Sequence, residues 1–261
     1  PFCASFTVEK YMQTEILDSP FMRELFQSPV EWVHTGYSTG AENMRFDEDR
    51  VKLVANGDAL PMLRVYGWKP WAVSLGANQR ESDIDPIERE KKGFDLVRRA
   101  TGGRAVLHAD ELTYSIVTPI GKYSVQEWYR LSHERLLAGL RTIAPTLDFE
   151  KSQPNFRELY KAMPQQAVAC FASSARYELI HDGRKVVGSA QRVFGNVLLQ
   201  HGSILLGAGG EQLADISKQS GSHSVDEIRK TILLHSSTLS EAAGRVVGFE
   251  EVAEAIKNGF L

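Results

Sequence analysis

Cysteine is scarce. The 261 residues contain two, Cys3 and Cys170, too few for a disulfide scaffold and in keeping with a reducing cytoplasm, the expected location. Neither these nor the seven histidines fall into CxxC or HExxH spacing, so no metal site is expected. Apolar runs long enough to cross a bilayer are absent, and no membrane partner is expected. Pro1-Phe2-Cys3-Ala4-Ser5 lacks the basic start and apolar core of a secretory signal. Basic charge is not in excess either: 30 Lys and Arg against 33 Asp and Glu leave a net charge of −3, which gives no electrostatic case for nucleic acid. Repeats and low-complexity linkers are missing. What remains is an ordinary globular composition, 43% hydrophobic and 24% charged, long enough for one large α/β domain or two small ones.

Within it, one stretch stands out: Arg98-Arg99-Ala100-Thr101-Gly102-Gly103-Arg104-Ala105-Val106-Leu107-His108, followed by Glu111-Leu112-Thr113-Tyr114-Ser115. Paired glycines free the backbone and remove the Cβ atoms that would hold a ligand away from it. The arginines supply fixed charge and forked donors for a phosphate, carboxylate or carbonyl. On these grounds the segment is a binding turn between strands, with a plain Gly-Gly hairpin flanked by surface arginines as the simpler alternative.

Residues 1–30 read as a helical leader, with Val8, Tyr11, Met12 and Ile16 at helix-like spacing, and 31–261 as a single domain. Residues 31–36 form a strand. A helix over 41–56 carries Met44, Val51 and Val54 on one stripe and stops at Asn56-Gly57. Residues 61–68 and 71–76 read as paired strands joined around Lys69-Pro70, with Arg64, Tyr66 and Trp68 sharing a face. A charged helix over 84–92 stops at Gly93, and 112–118 is a strand. Ser124 and Glu127 form a capping box opening a helix to about Ala144, whose stripe of Trp128, Leu136, Leu140 and Ile143 packs on the sheet. The polar stretch 151–169 is irregular. Strands over 176–180, 184–193 and 197–206 follow, turning at His181-Asp182-Gly183 and Phe194-Gly195-Asn196. A last helix runs from Phe249 to Asn258 and is stopped by Gly259.

Three further residues carry chemistry. Cys170, in an apolar run, is either an inert buried thiol or a nucleophile. Lys185 follows a hairpin turn and is either solvated or turned inward. Strand alternation places Lys185, Val187, Ser189 and Gln191 on one face and Gly188 and Ala190 on the other. His201 is either a satisfied core histidine or part of a pocket wall.

The first stretch, Arg-Arg-x-Thr-Gly-Gly-x-Ala-Val-Leu-His with Glu-Leu-Thr-Tyr-Ser, resembles the signature of the lipoate/biotin protein ligase (lipoate–protein ligase A/B) superfamily. So do Gly183-Arg184-Lys185-Val186-Val187-Gly188-Ser189-Ala190-Gln191, Leu199-Gln200-His201-Gly202-Ser203, and Asn43-Met44 with Asp47-Glu48. The resemblance spans residues 31–206. It implies an α/β (α+β) fold: a mixed main β-sheet, a smaller sheet and surrounding helices. Arg98, Arg99, Thr101, Gly102, Gly103, Arg104, His108, Gly188, Ser189, Ala190 and His201 would then bind substrate, with Val106, Val187, Leu199 and Trp68 as pocket walls. ATP-dependent members typically carry a third glycine where this chain has Arg104. The wording is closest to the cysteine-lysine octanoyltransferase branch. That branch implies Cys170 as nucleophile, Lys185 as partner of the acyl carbonyl, octanoyl-acyl carrier protein as donor, and a lipoyl carrier domain (glycine cleavage H protein or 2-oxoacid dehydrogenase E2) as acceptor. No cofactor is then required. The alternatives are an ATP-dependent lipoate–protein ligase, needing ATP and Mg²⁺, and a non-catalytic lipoate- or biotin-binding module.

Overall fold

The computed structural model describes residues 12–151, 177–218 and 224–261. Its strands are β1 (Gln13–Leu17), β2 (Val30–Ser38), β3 (Met62–Trp68), β4 (Ala72–Leu75), β5 (Asp95–Arg98), β6 (Val106–His108), β7 (Glu111–Pro119), β8 (Asp148–Phe149), β9 (Leu179–His181), β10 (Arg184–Phe194) and β11 (Val197–Leu205). Its α-helices are α1 (Pro20–Phe26), α2 (Gly40–Asn56), α3 (Pro86–Lys91), α4 (Val125–Leu140), α5 (Leu213–Ile216), α6 (Val225–His235), α7 (Leu239–Ala243) and α8 (Phe249–Phe260). The main sheet orders its strands β1-β2-β3-β7-β11-β10-β9-β8 and the smaller one β5-β4-β6. Both are mixed: β2 with β3 and β4 with β5 pair in parallel, the other neighbours antiparallel. This is the mixed α/β architecture that the family resemblance implied.

Helices α4 and α8 cover one face of the main sheet, where Trp128, Leu136 and Leu140 meet Leu63, Val65, Ile116, Ile256 and Phe260 in the largest core. Each such side chain stabilises the fold by about 1.5–3 kcal/mol on burial. On the other face lies α2, fixed by Val51 and Val54 against Val33, Met62, Val117 and Leu199. Its ends are sharply set: Thr39 and Glu42 form a capping box, and Gly57 closes it at φ +79°. The smaller sheet packs beyond α2, with α5 and α6 on its far side through Val73, Leu75, Leu107, Leu213 and Ile228.

Four expectations from the sequence change. Residues 13–17 form an edge strand paired with β2 rather than a helix, and Met12 and Ile16 are exposed. Backbone pairing to the open edge of β2 outweighs the helix-like spacing of Met12 and Ile16; Val8 and Tyr11 lie outside the described residues. The helix comes afterwards, capped by Ser19 and begun by Pro20, and buries Met22, Leu25 and Phe26. Second, β3 and β4 do not pair. Every residue of β3 is buried, both of its edges are taken by β2 and β7, and Lys69-Pro70 carries the chain into the smaller sheet. Third, α4 ends at Leu140, short of Ala144. Fourth, α8 runs through Gly259. This glycine lies against Arg135 O and the backbone of Gly139, while a Cβ on Gly139 would overlap Ala255 O. The pair lets α4 and α8 touch backbone to backbone, so Gly259 is a packing residue and not a stop.

Candidate active site

The first signature turn wraps the end of β4. Gly76, just past that strand, lies so close to Gly103 that a Cβ would overlap the Gly103 carbonyl, and Gly103 itself sits at φ +97°. Arg99 threads the turn: Nη1 donates to Ser74 O (2.8 Å), and Nη2 to Gly102 O (2.9 Å) and Arg104 O (2.7 Å). Arg98 Nη1 donates to Gly76 O (3.0 Å) and Gln79 O (2.6 Å). Much of the donor capacity of both arginines is therefore engaged in holding the turn's own backbone. Substituting Gly76→Ala should push the Gly103 carbonyl aside and cost about 1–3 kcal/mol, as overpacking does; an unchanged urea midpoint would contradict the close approach.

Behind the turn is a buried polar network. Asp47 on α2 accepts from Arg64 Nη1 (2.8 Å), Ser115 Oγ (2.9 Å) and the Tyr66 hydroxyl (3.1 Å). Arg64 Nη2 donates to Asn43 Oδ1 (2.7 Å) and to Thr35 Oγ1 (3.0 Å). His201 Nδ1 lies 3.9 Å from Asp47, and its Nε2 is 2.6 Å from Thr101 Oγ1, so the network ends on the signature turn. Burial acts to raise the Asp47 carboxyl, but Arg64 and His201 outweigh it and hold it below the usual carboxylate range. Burial pushes the His201 imidazole down, partly offset by Asp47.

Between the two signatures lies a cavity of about 40 Å³, bordered by Met44, Tyr66, Trp68, Ser74, Arg99, Val106, His108, Thr113, Gly188, Ser189, Ala190, His201, Gly202 and Ser203. His108 stacks on Trp68 with 3.9 Å between ring centres. Its Nε2 is 2.8 Å from Ser74 Oγ, and its Nδ1 faces Glu111 at 3.4 Å. Thr113 Oγ1 links Trp68 Nε1 (2.8 Å) to Glu111 (2.8 Å). Of the four expected wall residues, Trp68 and Val106 border the cavity. Val187 packs instead in the α4-side core and Leu199 in the α2-side core, because the pleat points them elsewhere.

The second signature runs along β10. Gly188 and Ala190 pair with Ser203 and His201, on the cavity side. A register shift between Lys185 and Val187 breaks the simple alternation at the start of the strand. Ser189 borders the cavity, yet its hydroxyl is engaged toward α4. His133 Nδ1 is 2.7 Å from Tyr129 O, which can only accept, so Nδ1 carries the proton. His133 Nε2 therefore accepts from Ser189 Oγ (3.0 Å), which accepts from the Tyr114 hydroxyl (2.7 Å), which accepts from Gln200 Nε2 (2.7 Å). Burial, with the Lys185 charge adding to it, pushes His133 down to about 4. A histidine depressed on folding contributes stability that is complete above its unfolded value and lost as pH falls toward the folded one. Stability should thus drop by about 3 kcal/mol between roughly pH 6.5 and 4 through His133 alone, with His201 adding to the same limb. Urea titrations across that window check it, and His133→Gln should flatten the fall.

Lys185 is not among the residues bordering the cavity. Its Nζ lies 2.9 Å from Glu178 Oε2, with both side chains almost wholly buried, and the Tyr129 hydroxyl donates to Glu178 Oε1 at 3.4 Å. Cys170, like Cys3, falls outside the described residues. Of the expected binding residues, Arg99, His108, Gly188, Ser189, Ala190 and His201 are brought to one cavity. Thr101 supports it through His201, Gly102, Gly103 and Arg104 shape the turn, and Arg98 braces the turn from outside. Sequence reasoning missed the roles of Asn43, Asp47, Arg64, Glu111 and His133. The polar pair Asn43 and Asp47, one helical turn apart on the otherwise apolar inner face of α2, was the available signal. Among the described residues no three His, Cys, Asp or Glu side chains gather to hold a metal, and no helix is long and apolar enough to cross a membrane.

Residues 39–261 match the model of the lipoyl protein ligase A/B catalytic domain, and the chain belongs to this family. It is 40% identical over 233 residues to octanoyltransferase LipM of Kyrpidia tusciae, covering 87% of this chain and 84% of that one. With octanoyltransferase LipM of Staphylococcus aureus it shares 34% identity over 237 residues, 88% and 84% of the two chains. Among solved structures, the bi-partite lipoate protein ligase of Thermoplasma acidophilum superposes with a TM-score of 0.66 at 21% identity, over 86% of this chain and 79% of that one. A lipoate-protein ligase A bound with ATP gives 0.64, also at 21% identity, over 86% and 81%. At that identity these two speak for the fold alone.

Proposed function

We propose that this chain is a protein N-octanoyltransferase of lipoate biosynthesis, taking octanoyl from acyl carrier protein and passing it to a lysine of a lipoyl carrier domain. The observation that carries this reading is the meeting of the first signature turn with Gly188-Ser189-Ala190 at one cavity, in a chain whose relatives are named octanoyltransferases. Gly188 and Ala190 keep bulky side chains off this wall, and Val106, Met44 and Trp68 give the cavity apolar sides.

In the proposed reaction the Cys170 thiolate attacks the donor's thioester carbonyl. The new C–S bond forms as the carrier's sulfur leaves and takes a proton. The acceptor lysine's amine then attacks the Cys170 thioester. An amide C–N bond forms, the Cys170 C–S bond breaks, and the departing thiolate takes the one proton that the attacking nitrogen gives up. Lys185 stabilises the tetrahedral oxyanion and raises the thiolate fraction of Cys170. The thioester is already activated, so the transfer needs no ATP. Incubation of the protein with octanoyl-acyl carrier protein and a lipoyl domain, without ATP or Mg²⁺, should acylate the domain. Acylation only from free acid with ATP and Mg²⁺ would establish the ligase instead. Bound lipoate or biotin with no acylated product would establish a binding module.

A further inference from the structure

A second and larger cavity, of about 500 Å³, lies beside the first. It opens between the smaller sheet, the segment after β11 and α6, and is lined by Leu107, Leu205, Leu213, Ile232 and Leu233 among others. Val106 borders both cavities. Leu205 borders the second and packs on Val106 in a two-residue apolar cluster of its own, each 8% exposed. Two strands lead in the same direction. Along β6, His108 faces the first cavity and Val106 stands two residues on. Along β11, Ser203 faces the first cavity and Leu205 the second. Residues two apart on a strand share a face, so both strands present one continuous surface that the Val106–Leu205 contact divides.

We propose that this contact sets the length of acyl chain the enzyme accepts. The inference rests on the octanoyl-transfer reading, in which the first cavity receives the acyl chain. The Val106 and Leu205 side chains then block the methylenes beyond the medium-chain end. Removing either opens the acyl site into the second cavity, where Leu107, Leu213, Ile232 and Leu233, beside the charged Arg184, Glu211, Arg229 and Glu241, would take the tail of a longer chain. A hydrophobic pocket discriminates by roughly 10–200-fold per methylene gained or lost, so a two-residue gate suffices for chain selection.

The test measures kcat/KM for transfer from octanoyl-, dodecanoyl- and tetradecanoyl-acyl carrier protein to a lipoyl domain. Wild type should prefer the octanoyl donor. Val106→Ala and Leu205→Ala should each raise the dodecanoyl-to-octanoyl ratio by about tenfold or more, mainly through a lower KM for the long donor. Gain of a new substrate is not mimicked by partial unfolding. Wild-type transfer of octanoyl with an unchanged ratio in both folded variants would overturn the gate. Absence of any transfer by wild type would overturn the octanoyltransferase reading itself.

Discussion

Replacing Lys185 by methionine is expected to destabilise the fold by about 3–5 kcal/mol and to cut acyl transfer by a factor on the order of 10²–10³. The stability loss follows from burial: Lys185 and Glu178 are 2% and 3% exposed and 2.9 Å apart. Methionine fills the volume of the lysine stem but takes away the buried cation. The Glu178 carboxylate then stays buried without the ammonium that lies 2.9 Å from it in the native fold. Adding Glu178→Gln to Lys185→Met should recover most of the stability, because a neutral amide is far less costly to bury. It should recover none of the transfer. Urea denaturation and the ATP-free assay separate the two effects. A single variant as stable as wild type would contradict the ion pair, and one as active would contradict the role in oxyanion stabilisation.

The largest effect is expected at Cys170. Serine differs by one atom, yet its hydroxyl is essentially un-ionised at neutral pH, whereas a thiol is already a few per cent thiolate and intrinsically far more nucleophilic. Serine would need a general base on its oxygen, whereas a thiol is acidic enough to react without one. Cys170→Ser and Cys170→Ala should lose on the order of 10³-fold or more in transfer, with unchanged far-ultraviolet circular dichroism. Substantial transfer by Cys170→Ala would identify the thiol as inert and move the chemistry to an adenylate route.

Much of this architecture was legible because local signals agreed with the tertiary outcome. Ser124 with Glu127, and Gly57, set helix ends through caps that depend only on neighbours in sequence. The β10–β11 hairpin was readable from its turn at Gly195 (φ +60°). What was not legible depends on partners distant in the chain. Gln13–Leu17 becomes a strand because β2 offers an edge, and β3 separates from β4 because β2 and β7 claim it. Gly259 looked like a helix stop; only the arrival of Gly139 on another helix gives it its packing role. The site divides in the same way. The signature residues that border the cavity were marked by their wording. Asp47, Arg64 and Ser115 converge from α2, β3 and β7, and His133 meets Ser189 from 56 residues away. No linear pattern announces such a meeting.

The most direct measurement is an intact-mass spectrum after mixing the protein with octanoyl-acyl carrier protein in the absence of ATP. A single hydroxylamine-labile octanoyl adduct that maps to Cys170, and disappears when a lipoyl domain is added, is the predicted result. No adduct on the protein, with the lipoyl domain modified only after free octanoate, ATP and Mg²⁺ are supplied, would contradict it.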